Sequence, residues 1–223
     1  MDYWHEKNKE LFDSFIRDLE RNYPSLFVQI KNKLIYVSGV LKIKDDKNVV
    51  LGSYLINIEI PHNFPKEIPK VRETSNKIPR IADRHFEEDG SACLCFRDSI
   101  FIFWSKESTI LDFMKIFVEP FFLWQIEFEA SGGANKDRSF RHGIAGAIQF
   151  YGEILKTEDK RIIYRFVDLM TKKKIRGSWN CYCGSGKKIK DCHFDIIMSY
   201  KEKIRRKDAR ITMNSFKIIN FIR

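Results

Sequence analysis

Between Asn8 and Arg21 the apolar residues Leu11, Phe12, Phe15, Ile16 and Leu19 recur at helical spacing, and Tyr23-Pro24 closes the segment because proline breaks the helical hydrogen-bond ladder. An amphipathic opening helix is expected. Two extended runs follow, Leu34 to Ile43 and Val50 to Ile60, joined by the polar stretch Lys44-Asp45-Asp46-Lys47-Asn48, a pattern that predicts a hairpin. A short third run, Lys70 to Thr74, lies beyond Pro61, Pro65 and Pro69, whose ring geometry and missing N–H groups exclude both helix and ladder from that crossing. Downstream, Ser108 to Leu123 carries Ile110, Leu111, Met114, Phe117, Val118 and Phe121 on one stripe, with Ser108 or Thr109 as cap; this is a second long helix. Ser139 to Leu155 repeats the pattern after the glycine-bearing stretch Ser131 to Asn135, Lys160 to Met170 reads as a shorter helix, and Lys172 to Ser178 as a hinge. The order is that of an α+β protein: an N-terminal helix, an antiparallel meander of three or four strands, then helices.

Composition narrows this picture. A chain of 223 residues with 43% hydrophobic content and 19 Phe can fill a core of its own. No apolar run approaches the roughly 18 to 20 residues that span a bilayer, and the N-terminal residues lack a signal-peptide pattern, so a cytoplasmic protein without a membrane partner is expected. The net charge of +10 is unevenly placed: residues 172–223 hold 15 Lys and Arg against 4 Asp and Glu, whereas residues 1–171 balance to within one charge. A basic stretch of that kind serves an acidic partner, a phosphate backbone or an anionic surface, or is a solvated face. Aromatic and basic residues do not interleave along it, so nucleic acid is not expected as a partner.

The five cysteines fall into two groups, Cys93 with Cys95, and Cys181, Cys183 and Cys192; neither reads as a disulfide framework. In Cys181-Tyr182-Cys183-Gly184-Ser185-Gly186-Lys187-Lys188-Ile189-Lys190-Asp191-Cys192-His193, three thiolates and an imidazole can surround one ion, with Gly184 and Gly186 allowing the backbone to fold back. The other reading is of cysteines scattered in a tail. Four protein ligands close the coordination shell, so zinc there is structural and not catalytic. The run resembles the SEC-C motif, a small zinc-binding tail first known from a protein-translocation ATPase, over residues 178 to 194. The expected division is therefore 1–171 and 172–223, the second part being a zinc module with a basic tail.

The stretch from Tyr54 to Val71, with Ile60-Pro61, Phe64-Pro65 and Ile68-Pro69, resembles the strand and proline signature of ubiquitin-conjugating enzymes. Asp89-Gly90-Ser91-Ala92-Cys93-Leu94 resembles that family's active-site run, and Trp104-Ser105 followed by Ser108-Thr109-Ile110 resembles its Trp-Ser and helix start. The resemblance spans about residues 10 to 125. It implies a ubiquitin-conjugating-enzyme-like fold in which Cys93 carries an activated protein C-terminus as a thioester and passes it to an acceptor amine, with an activating enzyme upstream. The family's His-Pro-Asn is absent; His85-Phe86-Glu87 stands nearest, so His85 either donates a hydrogen bond in catalysis or caps the loop. Cys93 is either an exposed nucleophile or a buried small hydrophobe, Cys95 a resolving or a packed thiol, and Asp89 and Asp98 are either proton acceptors for an incoming lysine or turn residues. His142, followed by Gly143 and Gly146 in a helical pattern, marks a place of close approach. This part and the missing His-Pro-Asn resemble bacterial members of the conjugating family encoded with antiphage defence systems that contain nucleotidyltransferases. The implied partner is a ubiquitin-like protein or a nucleotidyltransferase C-terminus. The competing reading is an inactive module of the same fold whose zinc tail docks a partner protein.

Overall fold

The computed structural model describes residues 2–134 and 143–218; the expectation placed on His142 lies outside them. In chain order the elements are α1 (Trp4–Lys7), α2 (Lys9–Asn22), β1 (Leu26–Lys31), β2 (Leu34–Lys44), β3 (Val50–Ile60), β4 (Lys70–Glu73), α3 (Ile100–Phe103), α4 (Ile110–Phe113), α5 (Glu119–Ala130), α6 (Gly143–Leu155), α7 (Lys160–Thr171), α8 (Phe194–Lys203) and α9 (Arg206–Ile218). The described residues fall into two compact units, those within 1–94 and 104–139, and those within 95–103 and 140–223.

The first unit is α+β. Its sheet is an antiparallel meander in the order β1-β2-β3-β4. On β2 the residues Ile35, Val37, Leu41 and Ile43 are buried, and across the register they face Ile60, Ile58, Tyr54 and Gly52 of β3. The period of two sets all these side chains on one face of the sheet. Phe15 and Leu19 of α2, and Phe113, Phe117 and Phe122 from the later helices, are buried hydrophobics of the same unit. Gly39 has φ +141, and a Cβ there would stand 2.1 Å from the Ser25 carbonyl, which accepts the Val40 N–H at 3.0 Å. Only glycine lets the chain before β1 approach β2 that closely.

The expectation missed β1. It pairs with β2 through a turn at Asn32 and Lys33, both at positive φ, a mirror-image turn built without the usual glycine. The second long helix starts as expected: Thr109 and Asp112 form a reciprocal capping box. It continues beyond Leu123, because a π-helical turn at Met114–Val118 joins α4 to α5 and extends it to Ala130.

The second unit is helical around the expected zinc run. Its core gathers Phe150 and Tyr151 of α6, Ile163, Phe166 and Met170 of α7, Tyr182 and Ile189 of the cysteine run, Ile197 of α8, and Met213 and Phe216 of α9. Residues 194–218 thus form packed helices where a basic tail was expected, and α7 shares their core, so the expected boundary at 171/172 runs through the middle of this unit. Charged residues on the outer faces of α8 and α9 mask the buried stripe when the sequence is read by its charge. Among the described residues no helix is long and apolar enough to cross a membrane.

Candidate functional site

In the second unit, Trp179 and Asn180 lie against Lys188 and Ile189. Asn180 and Lys188 form an antiparallel bridge, the Ile189 N–H donates to the Trp179 carbonyl at 2.9 Å, and the Cys181 N–H donates to Lys187 O at 2.9 Å. Gly184 and Gly186, at φ +79 and +76, turn the chain at the tip. A short 3-10 turn, Ile189–Asp191, then delivers Cys192 and His193 to the start of α8. The sulfurs of Cys181, Cys183 and Cys192 and a ring nitrogen of His193 all lie within 4.8 Å of one another. His193 Nδ1 is 3.3 Å from Cys181 Sγ and 3.1 Å from Cys192 Sγ, and the Cys183 and Cys192 sulfurs are 3.7 Å apart. A tetrahedral zinc with ordinary bond lengths requires about 3.8 Å between two sulfurs and about 3.6 Å between sulfur and nitrogen. The donor set and its spacing therefore fit a metal ion, and this cluster could hold one.

Burial pushes the Cys181 thiol up to about 11. Burial raises Cys183 as well, but hydrogen bonds from the Ser185 hydroxyl and backbone N–H, and then from Cys181 and Cys192, outweigh it and bring Cys183 down to about 6, which favours the thiolate form that a metal ion takes. Ser185 is a supporting residue that the ligand pattern did not single out. Its hydroxyl lies 3.2 Å from Cys183 Sγ and 3.6 Å from Cys192 Sγ, the kind of outer partner that orients a metal-binding thiolate.

The other cysteines are set differently. After β4 the chain forms a small hairpin: Phe86 bridges Ala92, Glu87 N–H donates to Ser91 O at 2.8 Å, and the Asp89 carboxylate accepts the Ser91 N–H at 3.0 Å. Cys93 ends this hairpin, with its own N–H donating to His85 O at 2.8 Å and the preceding Ala92 N–H donating to Val71 O at 2.7 Å. Its side chain is half-buried. His85, at φ +56, is buried with its ring edge-on to Trp124 of α5 at 4.9 Å. The adjoining Arg84 is clamped on α5, donating to Gln125 Oε1 and Glu129 Oε1 at 2.7 Å each while its carbonyl accepts from Gln125 at 2.9 Å. The structure thus brings His85 and Cys93 together through the backbone.

No family model matches this chain, and no curated protein matches it. Among solved structures, a chain of the one described as "A complex of the Vps23 UEV with ubiquitin" is similar at a TM-score of 0.35 and 16% identity, over 55% of this chain and 84% of that chain. A likeness of that size decides neither fold nor function.

The remaining candidates separate. Cys95 opens the segment 95–103 of the second unit, and burial pushes its thiol up to about 12, against a lowering hydrogen bond from Ser99. Asp89 is held well below the usual carboxylate range, first by its hydrogen bond from Lys70 Nζ at 2.8 Å and then by Ser91. Asp98 is buried in the second unit, where its Oδ2 accepts from Tyr151 at 2.6 Å and Thr212 at 2.9 Å.

Proposed function

We propose that Cys93 carries an activated C-terminal carboxyl as a thioester and transfers it to an amine, on a first unit of the ubiquitin-conjugating kind. The observation that carries this reading is the contrast between two thiols in one short segment. Both side chains are partly exposed, but Cys93 ends a hairpin fixed by backbone hydrogen bonds, whereas burial pushes the Cys95 thiol up to about 12. Only the thiolate attacks. In the first step Cys93 sulfur bonds to the activated carbonyl carbon and the donor's leaving group departs with the electron pair. In the second an amine attacks the same carbon, the C–S bond breaks, and the amine proton passes to solvent or a base as Cys93 thiolate is regenerated. His85 enters as a positioning residue, since its carbonyl holds the Cys93 N–H and its buried ring holds the hairpin base to α5. The metal cluster takes zinc as a structural ion, outside the transfer. The bacterial defence setting and a ubiquitin-like or nucleotidyltransferase C-terminus as cargo rest on the resemblance of the sequence motifs.

The test is intact-mass analysis of the full chain isolated from its native cells without reductant. A covalent adduct that thiols release, present in wild type and in Cys95→Ser but lost as a thioester in Cys93→Ser, supports the reading. No adduct, with a protein partner retained equally by wild type and Cys93→Ser, replaces it with that of a binding module. His85→Gly keeps the left-handed backbone while removing the ring, so slowed Cys93 alkylation with an unchanged pH profile marks a positioning role.

A further inference from the structure

The second unit contains a groove of about 780 Å³ between the end of α7, the stretch leading to the cysteine run, and one face of α9. On α9 the lining residues Arg206, Arg210 and Lys217 lie on one helical stripe about 16 Å long, with the first two about 6 Å apart along the axis. Lys173, Lys174 and Arg176 line it from the connecting stretch. Among the described residues none of these six cations has an ion-pair partner, and the one carboxylate in the lining, Asp168, is held by Lys172 at 2.8 Å. Trp179, half-buried, supplies the aromatic wall. Its place is built: its N–H donates to Arg176 O at 3.0 Å, its carbonyl accepts from Ile189, and Lys190 N–H ties the preceding Gly177 O at 3.0 Å. Lys201 braces the same wall by donating to Met170 O at 2.8 Å and Lys172 O at 2.5 Å; burial and then the neighbouring Arg206 charge lower its pKa.

We propose that this groove binds a short segment of single-stranded nucleic acid, its phosphates along the two cationic rails and a base stacked on Trp179. A solvated face disperses its charges; here they converge on a concavity and repel one another, a cost that a bound polyanion reverses. The volume exceeds what a lone phosphate fills, and the cations of α9 are spread along about 16 Å, room for more than one phosphate. An acidic peptide would use the cations and leave the indole without a stacking partner, whereas every base has a face for it. The aromatic and basic residues that fail to interleave along the sequence interleave here because Trp179 and α9 come from segments about 30 residues apart.

The experiment uses the full chain with a fluorescein-labelled oligo(dT) of about ten nucleotides, titrated across salt concentrations, and a poly-glutamate peptide of equal charge as the second arm. Oligo(dT) binds saturably and poly-glutamate more weakly. Arg210→Ala and Arg206→Ala each make the log–log salt slope shallower by about 0.7 to 1, and Trp179→Ala weakens binding about five- to a hundred-fold while Trp179→Phe restores most of it. Arg206 and Arg210 are exposed, so their variants test the groove even where Trp179→Ala disturbs the hairpin. The absence of saturable oligo(dT) binding at low salt overturns the proposal. So does poly-glutamate binding as tightly, with oligo(dT) affinity indifferent to Trp179→Ala and Trp179→Phe. Cys93→Ser leaves binding unchanged, which keeps the result separate from thioester formation.

Discussion

Five cysteines occupy two regions of this molecule under opposite rules. In the cysteine run, residues up to 12 apart in sequence converge until their donors lie within 4.8 Å. At Cys93 and Cys95, two residues apart, the chain passes from one compact unit into the other and gives the two thiols different surroundings. Proximity in sequence therefore says little about shared chemistry: a cluster needs a backbone that folds back, as at Gly184 and Gly186, and a lone nucleophile needs one that holds it apart.

The largest effect expected tests the first of these regions. A structural zinc contributes on the order of 10 kcal/mol of folding free energy, so chelation, or Cys192→Ser, removes the cooperative melting of the second unit and leaves that of the first. Elemental analysis of protein purified without chelator reads about one zinc per chain; a metal-free protein with both transitions intact breaks the comparison at its root. Next in size, Cys93→Ser eliminates the thiol-sensitive adduct and Cys95→Ser leaves most of it, as mass spectrometry reads directly. If the two exchange places, the assignment of the nucleophile inverts.

A smaller effect probes the buried carboxylate near Cys95 in sequence. Tyr151→Phe removes a hydrogen bond to Asp98 and costs the second unit about 1.5 to 3 kcal/mol in denaturant unfolding. Burial raises the Asp98 pKa above its unfolded value, partly offset by hydrogen bonds from Tyr151 and Thr212; Asp208 raises it further and Arg97 lowers it. An acid whose folded pKa is raised binds protons more readily when folded. Its stabilising contribution is full below the unfolded pKa near 4 and is lost as pH rises through the higher folded pKa. The stability difference between wild type and Asp98→Asn should therefore shift against the wild type from acid to neutral pH, and a flat difference removes this account. The smallest effect serves as a control confined to the first unit: Thr109→Ala breaks its capping box and lowers stability by about 1 kcal/mol, without changing zinc content.

The legible part of the fold was the part with a simple period. Alternation in β2 and β3 and the helical stripe of α2 read directly, because one face of each is buried and the other wet. β1 escaped because Phe27 and Ile30 stay exposed and its turn uses Asn32 and Lys33. α8 and α9 escaped because the buried Ile197, Met213 and Phe216 are separated by charged residues of the outer faces. The convergence of Cys181, Cys183, Cys192 and His193 into a cluster that could hold a metal ion was legible, since it is carried by residue type and spacing. Ser185 as thiolate partner and Asp98 as a buried acid were not, because each role is set by folding geometry.

Asp98 and Thr212 are joined across 114 residues. On a ribosome adding about 5 to 20 residues per second, the segment that follows Cys93 waits roughly 6 to 23 s for its partner on α9 to be made. Until then its carboxylate lacks the Thr212 hydroxyl, and Phe101 lacks the Arg205 guanidinium that lies 3.9 Å from its ring centroid. Asp98 therefore completes its pair of hydrogen bonds only after α9 is made, and the newborn chain passes through an interval in which Tyr151 alone can hold its carboxylate.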